Sequence, residues 1–198
     1  KGLLNRLDTA ITEDKNAATD KIKVAVILGG YSSERHISVE SGRNIYEKLA
    51  SSVKYEPIPI FLTGNSEEHL MYQIPINILL KDNADDIKEK IDHYQTHELI
   101  QQIIKESSAI TAKYAKADSL AKPKQLSYEE LGLIADSVFI ALHGRPGEDG
   151  AIQKNLERIG LPYNGSGIES SQITIDKYRT NEILKEHSFL IADHLLIS

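Results

Sequence analysis

Eight residues, His143-Gly144-Arg145-Pro146-Gly147-Glu148-Asp149-Gly150, follow directly on the apolar run Val138-Phe139-Ile140-Ala141-Leu142. An imidazole can donate or accept a proton, a carboxylate can hold a cation, and glycine lets backbone approach a ligand closely. A histidine, three glycines and two acids make a poor core, so a buried strand must end here in a polar loop of small residues. In open α/β sheets, ligands bind at the carboxyl ends of the strands. An earlier stretch is built the same way. Lys23-Val24-Ala25-Val26-Ile27-Leu28 runs into Gly29-Gly30-Tyr31-Ser32-Ser33-Glu34-Arg35-His36, and helical spacing follows. Two such strand ends point to one shared crevice.

Each candidate also has a plain structural reading. Glu34 reads either as a ligand-facing carboxylate or as a first-turn acid stabilising a helix dipole. His143 reads either as a site imidazole or as a strand-end histidine bonded to backbone. Glu148 and Asp149 are read in the structural sense, as charges at the N-terminus of a helix starting near Ala151. Gly29-Gly30 does not make the dinucleotide pattern G-x-G-x-x-G, and no Lys-Ser/Thr pair follows it, which excludes a Walker phosphate loop. His93 and His97 have the i, i+4 spacing of a zinc helix but fall on a polar face, so no metal site is expected there. Lys177, after Ile175-Asp176 on a helical pattern, reads as a solvated lysine when taken alone.

The elements that must position these groups are legible in outline. Leu3, Leu4, Leu7 and Ile11 form one helical stripe, and residues 14–20 form a polar linker. Residues 22–28 read as a buried strand. A helix follows from Ser38, with Ser38 or Ser41 as its N-cap and Val39, Gly42, Ile45, Tyr46 and Leu49 facing inward. Residues 55–62 contain Pro57 and Pro59, which predicts an edge or irregular strand. Residues 62–137 read as a helical insertion. It has a hairpin-like piece at 70–80, an acidic turn at 82–86, a long helix marked by Leu99, Ile103, Ile104, Ile110 and Tyr114, and a surface loop at 117–125. Then come a strand at 138–142, a helix at 151–159 stopped by Gly160, a short strand at 161–167, a helix at 171–187 and a further strand pattern at Leu195-Leu196-Ile197. The fold class expected is α/β, an open, mostly parallel sheet flanked by helices.

Composition narrows the functions further. The 198 residues hold 23 Lys plus Arg against 29 Asp plus Glu, a net charge of −6, which argues against nonspecific nucleic-acid binding through phosphate neutralisation. There is no cysteine, which excludes disulfides and thiolate metal sites and is compatible with a reducing cytoplasm. No apolar run reaches the ~18–20 residues of a membrane span, and no signal-peptide pattern is present. The chain starts at Lys1 rather than Met and stops within a strand pattern, so it reads as part of something longer.

The two glycine-rich segments together carry a family likeness. Gly29-Gly30-x-Ser32-x-Glu34-x-x-Ile37-Ser38-x-x-Ser41-Gly42 resembles the N-terminal signature of D-alanine–D-alanine ligases. Their second signature is similar to His143-Gly144-x-x-Gly147-Glu148-Asp149-Gly150 with the strand before it, continued by Gln153, Leu156-Glu157, Gly160-Leu161-Pro162-Tyr163, Gly165-Ser166-Gly167 and Ser171. Asp176-Lys177 with Thr180 resembles the start of the family's ATP-grasp region. The likeness spans roughly 22–61 and 136–190 and omits the insertion.

The resemblance implies an enzyme that uses ATP and Mg²⁺ to turn one D-alanine carboxylate into an acyl phosphate, which a second D-alanine amine attacks. The dipeptide serves peptidoglycan synthesis in the cytoplasm. It further implies that Glu34, holding the ammonium, and His143 are the catalytic groups at the first D-alanine, that Gly144 lines that site, and that Lys177 reaches nucleotide phosphate. The domains implied are an N-terminal helix and linker at 1–20, a substrate domain at 21–167 with the insertion at about 62–137, and the beginning of an ATP-grasp domain at 168–198. Most ATP and Mg²⁺ ligands would then lie beyond this chain, which alone should release no ADP from ATP and D-alanine. Partners are the small molecules, with no nucleic acid and no membrane, and a homodimer stays open. So do a D-lactate or D-serine second substrate and a non-catalytic ligand-binding or dimerisation module on the same frame. The missing glycine fingerprint and ribose-binding acid exclude a dehydrogenase.

Overall fold

The computed structural model describes residues 2, 6, 9, 21–94, 98–109, 120 and 122–197. The apolar stripe expected over 3–11, the linker at 14–20, and His97, Ile110 and Tyr114 lie outside the described residues, as do residues 117–119 and 121 of the loop expected at 117–125. The centre of the fold is β1 (Ile22–Gly29). It pairs in parallel with β2 (Tyr55–Gly64) on one side and with β5 (Ser137–Ile140) on the other. A strand flanked on both sides and covered on both faces has no polar position, hence the unbroken apolar run at 24–28.

The chain turns from β1 into α1 (Arg35–Ala50), then into β2. Next come β3 (His69–Gln73), α2 (Ile76–Lys81), α3 (Ala84–Asp92), α4 (Glu98–Glu106), β4 (Lys124–Leu126), α5 (Tyr128–Ile134) and β5. The remaining elements are α6 (Ala151–Arg158), α7 (Ile168–Thr174) and α8 (Lys177–Glu186). The sheet order is β4-β3-β2-β1-β5. β2–β3 and β3–β4 are antiparallel, so the sheet is mixed, with its parallel part where the glycine-rich loops leave it.

Alternate residues of each strand face opposite layers. Ala25, Ile27, Ile60, Leu62 and Met71 pack with Leu131 of α5 and with Ile152 and Leu156 of α6. Val26, Leu28 and Phe61 pack with Val39 of α1, Ile78 of α2 and Ile87 of α3. Each fully buried Leu, Ile or Phe among these contributes about 1.5–3 kcal/mol relative to exposure. No helix among the described residues is long and apolar enough to cross a membrane.

Several sequence expectations change. β2 is internal and regular despite its two prolines. Pro59 turns its carbonyl away from β1, towards Ile74 N (3.1 Å), and Pro57, two residues earlier, faces the same way. The missing N–H groups therefore lie on the side where β3 has already ended, since its last partner on β2 is Ile60. The insertion is not simply helical, because it supplies β3 and β4 to the sheet. The acidic residues at 82–86 begin α3, with Asn83 capping the N–H groups of Asp85 and Asp86. The strand expected at 161–167 is reduced to one bridge, Val138 to Tyr163. The helix expected at 171–187 is broken in two, because Asp176 caps α8 by accepting from Arg179 N. Residues 195–197 are exposed and have no ladder partner, so they form no strand.

Candidate functional site

The site is built where β1 and β5 both end. After Gly29 the Gly30 N–H still bonds to Leu62 O (2.8 Å), and the chain then leaves the sheet through Tyr31, Ser32, Ser33 and Glu34. On the neighbouring strand Ala141 N bonds to Ile27 O (2.9 Å), which carries the ladder one step further and delivers His143 beside that loop.

Three serines hold His143, each on a different atom. Ser32 Oγ donates to the His143 carbonyl (2.8 Å). Ser38 Oγ, fully buried, accepts from the His143 N–H (2.7 Å). Ser41 Oγ bonds to His143 Nε2 (2.9 Å). Ser32 also accepts from the backbone N–H of Glu34 (3.1 Å), so one hydroxyl ties the two candidate residues together. Helical spacing explains the rest. Ser38 and Ser41 are i and i+3 on α1, and Glu34 immediately precedes that helix, which places all three on one face. The caps expected at Ser38 or Ser41 are therefore incorrect: α1 begins at Arg35, Glu34 is its N-cap without a side-chain cap bond, and both serines lie inside the helix. A hydroxyl inside a helix is free to reach across to a neighbouring strand end.

Gly144 completes the floor. Its φ of +69° lies in the left-handed region, and a Cβ there would come 3.0 Å from Ser32 Oγ and 3.3 Å from Glu34 Oε2. Glu34 is exposed and His143 half-buried, so both face the same open edge of the sheet. Ser41→Ala should leave the fold intact and free the imidazole. A neutral side-chain hydrogen bond contributes about 1 kcal/mol, which predicts a roughly fivefold loss of affinity for a ligand bound at His143, measurable by calorimetric titration.

Other candidates fall elsewhere. Asp149 Oδ1 accepts from Ala151 N (3.0 Å) at the start of α6, the structural role expected, and its other oxygen lies 3.6 Å from Arg145 Nε. Glu148 is exposed. His36 and Arg35 turn to Asp85 of α3, at 3.5 and 2.7 Å, as exposed pairs of little energetic weight. Lys177 opens α8, exposed and without an ion pair among the described residues. It is not joined to the Glu34–His143 cluster by any hydrogen bond or ion pair. Among the described residues no group of three or more His, Asp or Glu side chains could hold a metal ion. These residues do not make a Mg²⁺ site, and one exposed lysine is not a nucleotide pocket.

The chain is similar to known proteins over most of its length. A family model described as D-ala D-ala ligase N-terminus matches residues 23–166. A D-alanine–D-alanine ligase of Leptospira biflexa is 29% identical over 176 residues, covering 88% of this chain and 44% of that protein. One from Coxiella burnetii is 31% identical over 175 residues, covering 88% and 42%. A solved D-alanine–D-alanine ligase structure from Coxiella burnetii superposes with a TM-score of 0.54 at 27% identity, covering 88% of this chain and 43% of that one. The chain thus spans less than half the length of these relatives. On its glycine-rich strand ends, its mixed sheet and this match, the chain belongs to the D-ala D-ala ligase N-terminus family.

Proposed function

We propose that the Glu34–His143 crevice binds the first D-alanine of an ATP-dependent ligase that joins two D-alanines for peptidoglycan synthesis. The observation that supports this most is the pair of hydrogen bonds made by the Ser32 hydroxyl, which ties the backbones of Glu34 and His143 together across two strand ends. An α-amino acid carries one cation and one anion two bonds apart, and it needs one partner for each. The Glu34 carboxylate would accept charge-assisted hydrogen bonds from the ammonium. The His143 imidazole, with Nε2 engaged by Ser41, has Nδ1 free among the described residues to meet the substrate carboxylate. Gly144 leaves room where any side chain would press on Ser32 and Glu34.

ATP and Mg²⁺ enter this reading through the family likeness alone, with Lys177 as a phosphate-reaching cation. The same likeness supports reading 21–167 as the substrate domain, 168–198 as the beginning of the central domain, and the cytoplasm as the site of action. The test is direct. The full-length gene product, given D-alanine, ATP and Mg²⁺, should release ADP and D-alanyl-D-alanine in equal amounts, and neither without D-alanine. ADP release that ignores D-alanine, or none at all, contradicts the proposal.

A further inference from the structure

A second cluster braces the same loop from the opposite side, and the insertion supplies it. His69 opens β3 and is half-buried. Its Nδ1 lies 2.7 Å from the hydroxyl of Tyr128, the first residue of α5 and 59 positions away in sequence. The His69 ring centroid stands 6.2 Å from that of Tyr128 and 6.2 Å from that of Tyr31. Tyr31 is the residue between the Gly29-Gly30 pair and Ser32, and both glycines have φ of +92°.

The Tyr128 O–H can donate to His69 Nδ1, leaving the tyrosine as the donor of this pair. That requires a neutral imidazole carrying its proton on Nε2, and burial agrees, pushing the His69 pKa below its ordinary 6.5 and the Tyr128 hydroxyl well above its usual 10. The 143–150 loop lies beside the same turn, since a Cβ on Gly30 would come 3.4 Å from the Arg145 carbonyl.

Two successive glycines give the start of the 30–34 loop little backbone preference of its own. The Ser32–His143 bond restrains it on one side. We propose that His69, anchored by Tyr128, is a positioning residue that fixes Tyr31 and so holds Ser32 and Glu34 in place for the amino acid. This rests on the Glu34–His143 reading above and assigns the insertion a part in that site.

The test uses steady-state kinetics of the full-length gene product. His69→Ala should raise the D-alanine KM about tenfold, the worth of one well-placed hydrogen bond and its ordering, while the ATP KM stays within about twofold. His69→Asn, whose Oδ1 stands close to the Nδ1 position and can accept from Tyr128, should recover part of the loss in D-alanine KM, the ring contact with Tyr31 being absent. Tyr128→Phe, which deletes only the hydroxyl, should give an intermediate KM and serves as the test if His69→Ala fails to fold. An unchanged D-alanine KM in both His69→Ala and Tyr128→Phe overturns the proposal. Equal rises in the D-alanine and ATP KM without rescue by Asn also overturn it, since they mark a merely structural role. Glu34→Gln run alongside separates the two readings. If Glu34→Gln raises the D-alanine KM and His69→Ala does not, only the brace is wrong; if neither does, the site reading fails.

Discussion

Glu34→Gln in the full-length gene product should raise the D-alanine KM roughly 100-fold, because a charge-assisted hydrogen bond to the ammonium contributes about 3 kcal/mol and an amide cannot supply the charge. The change is nearly isosteric. It leaves the Glu34 backbone N–H bonded to Ser32 and the His143 carbonyl still accepting from the same hydroxyl. Folding should therefore be untouched, and the ATP KM should move by no more than about twofold, since only the ammonium loses its counter-charge. Initial-rate kinetics with each substrate varied in turn measure both constants. A parallel change in the two would mean that Glu34 acts on the frame rather than on the amino acid.

The second large effect is expected in the core beneath the crevice. Gly42 lies on the inner face of α1 directly over Leu28 of β1, where a Cβ would come 2.5 Å from Leu28 Cβ and 2.8 Å from its Cδ2. Leu28 is fully buried in the middle of the sheet and has nowhere to go. Gly42→Val therefore forces the helix outward and should destabilise the chain by about 3 kcal/mol, at the upper end of overpacking effects. Urea unfolding of the 198-residue chain should show a lower midpoint with an unchanged slope. The site should fail with the fold, because α1 carries Ser38 and Ser41, whose bonds to His143 are only 2.7 and 2.9 Å long. A midpoint within error of wild type would mean that α1 is not seated on β1 as described.

What could be read from residues alone follows physical lines. Residues 24–28 of β1 and the apolar run leading to His143 were legible because burial on both faces removes alternation and leaves a continuous apolar run. Glu34 and His143 were legible as neighbours because each follows a strand of the same parallel set, and parallel neighbours end at the same edge. The serines were visible as residues but not as partners. Ser38 and Ser41 sit near a helix start, where capping is the commoner role, and only the i, i+3 spacing after Glu34 hinted at a shared polar face.

Pro57 and Pro59 misled because their effect depends on which side of β2 each N–H would face, and that is set by how far β3 extends. The insertion was the least legible part. β3 is five residues long and β4 three, too short for a period to declare itself, and His69 meets Tyr128 through pairing that no local pattern encodes. The break between α7 and α8 turned on a single capping carboxylate, Asp176.

A crystal structure of the full-length gene product with D-alanine bound would decide whether the Glu34–His143 crevice is the amino-acid site. The amino-acid nitrogen is expected at a charge-assisted hydrogen-bond distance of about 2.7–2.9 Å from a Glu34 carboxylate oxygen, with the substrate carboxylate beside the His143 ring. A D-alanine whose ammonium is held by another acid, with the Glu34 carboxylate left in solvent, would contradict that assignment.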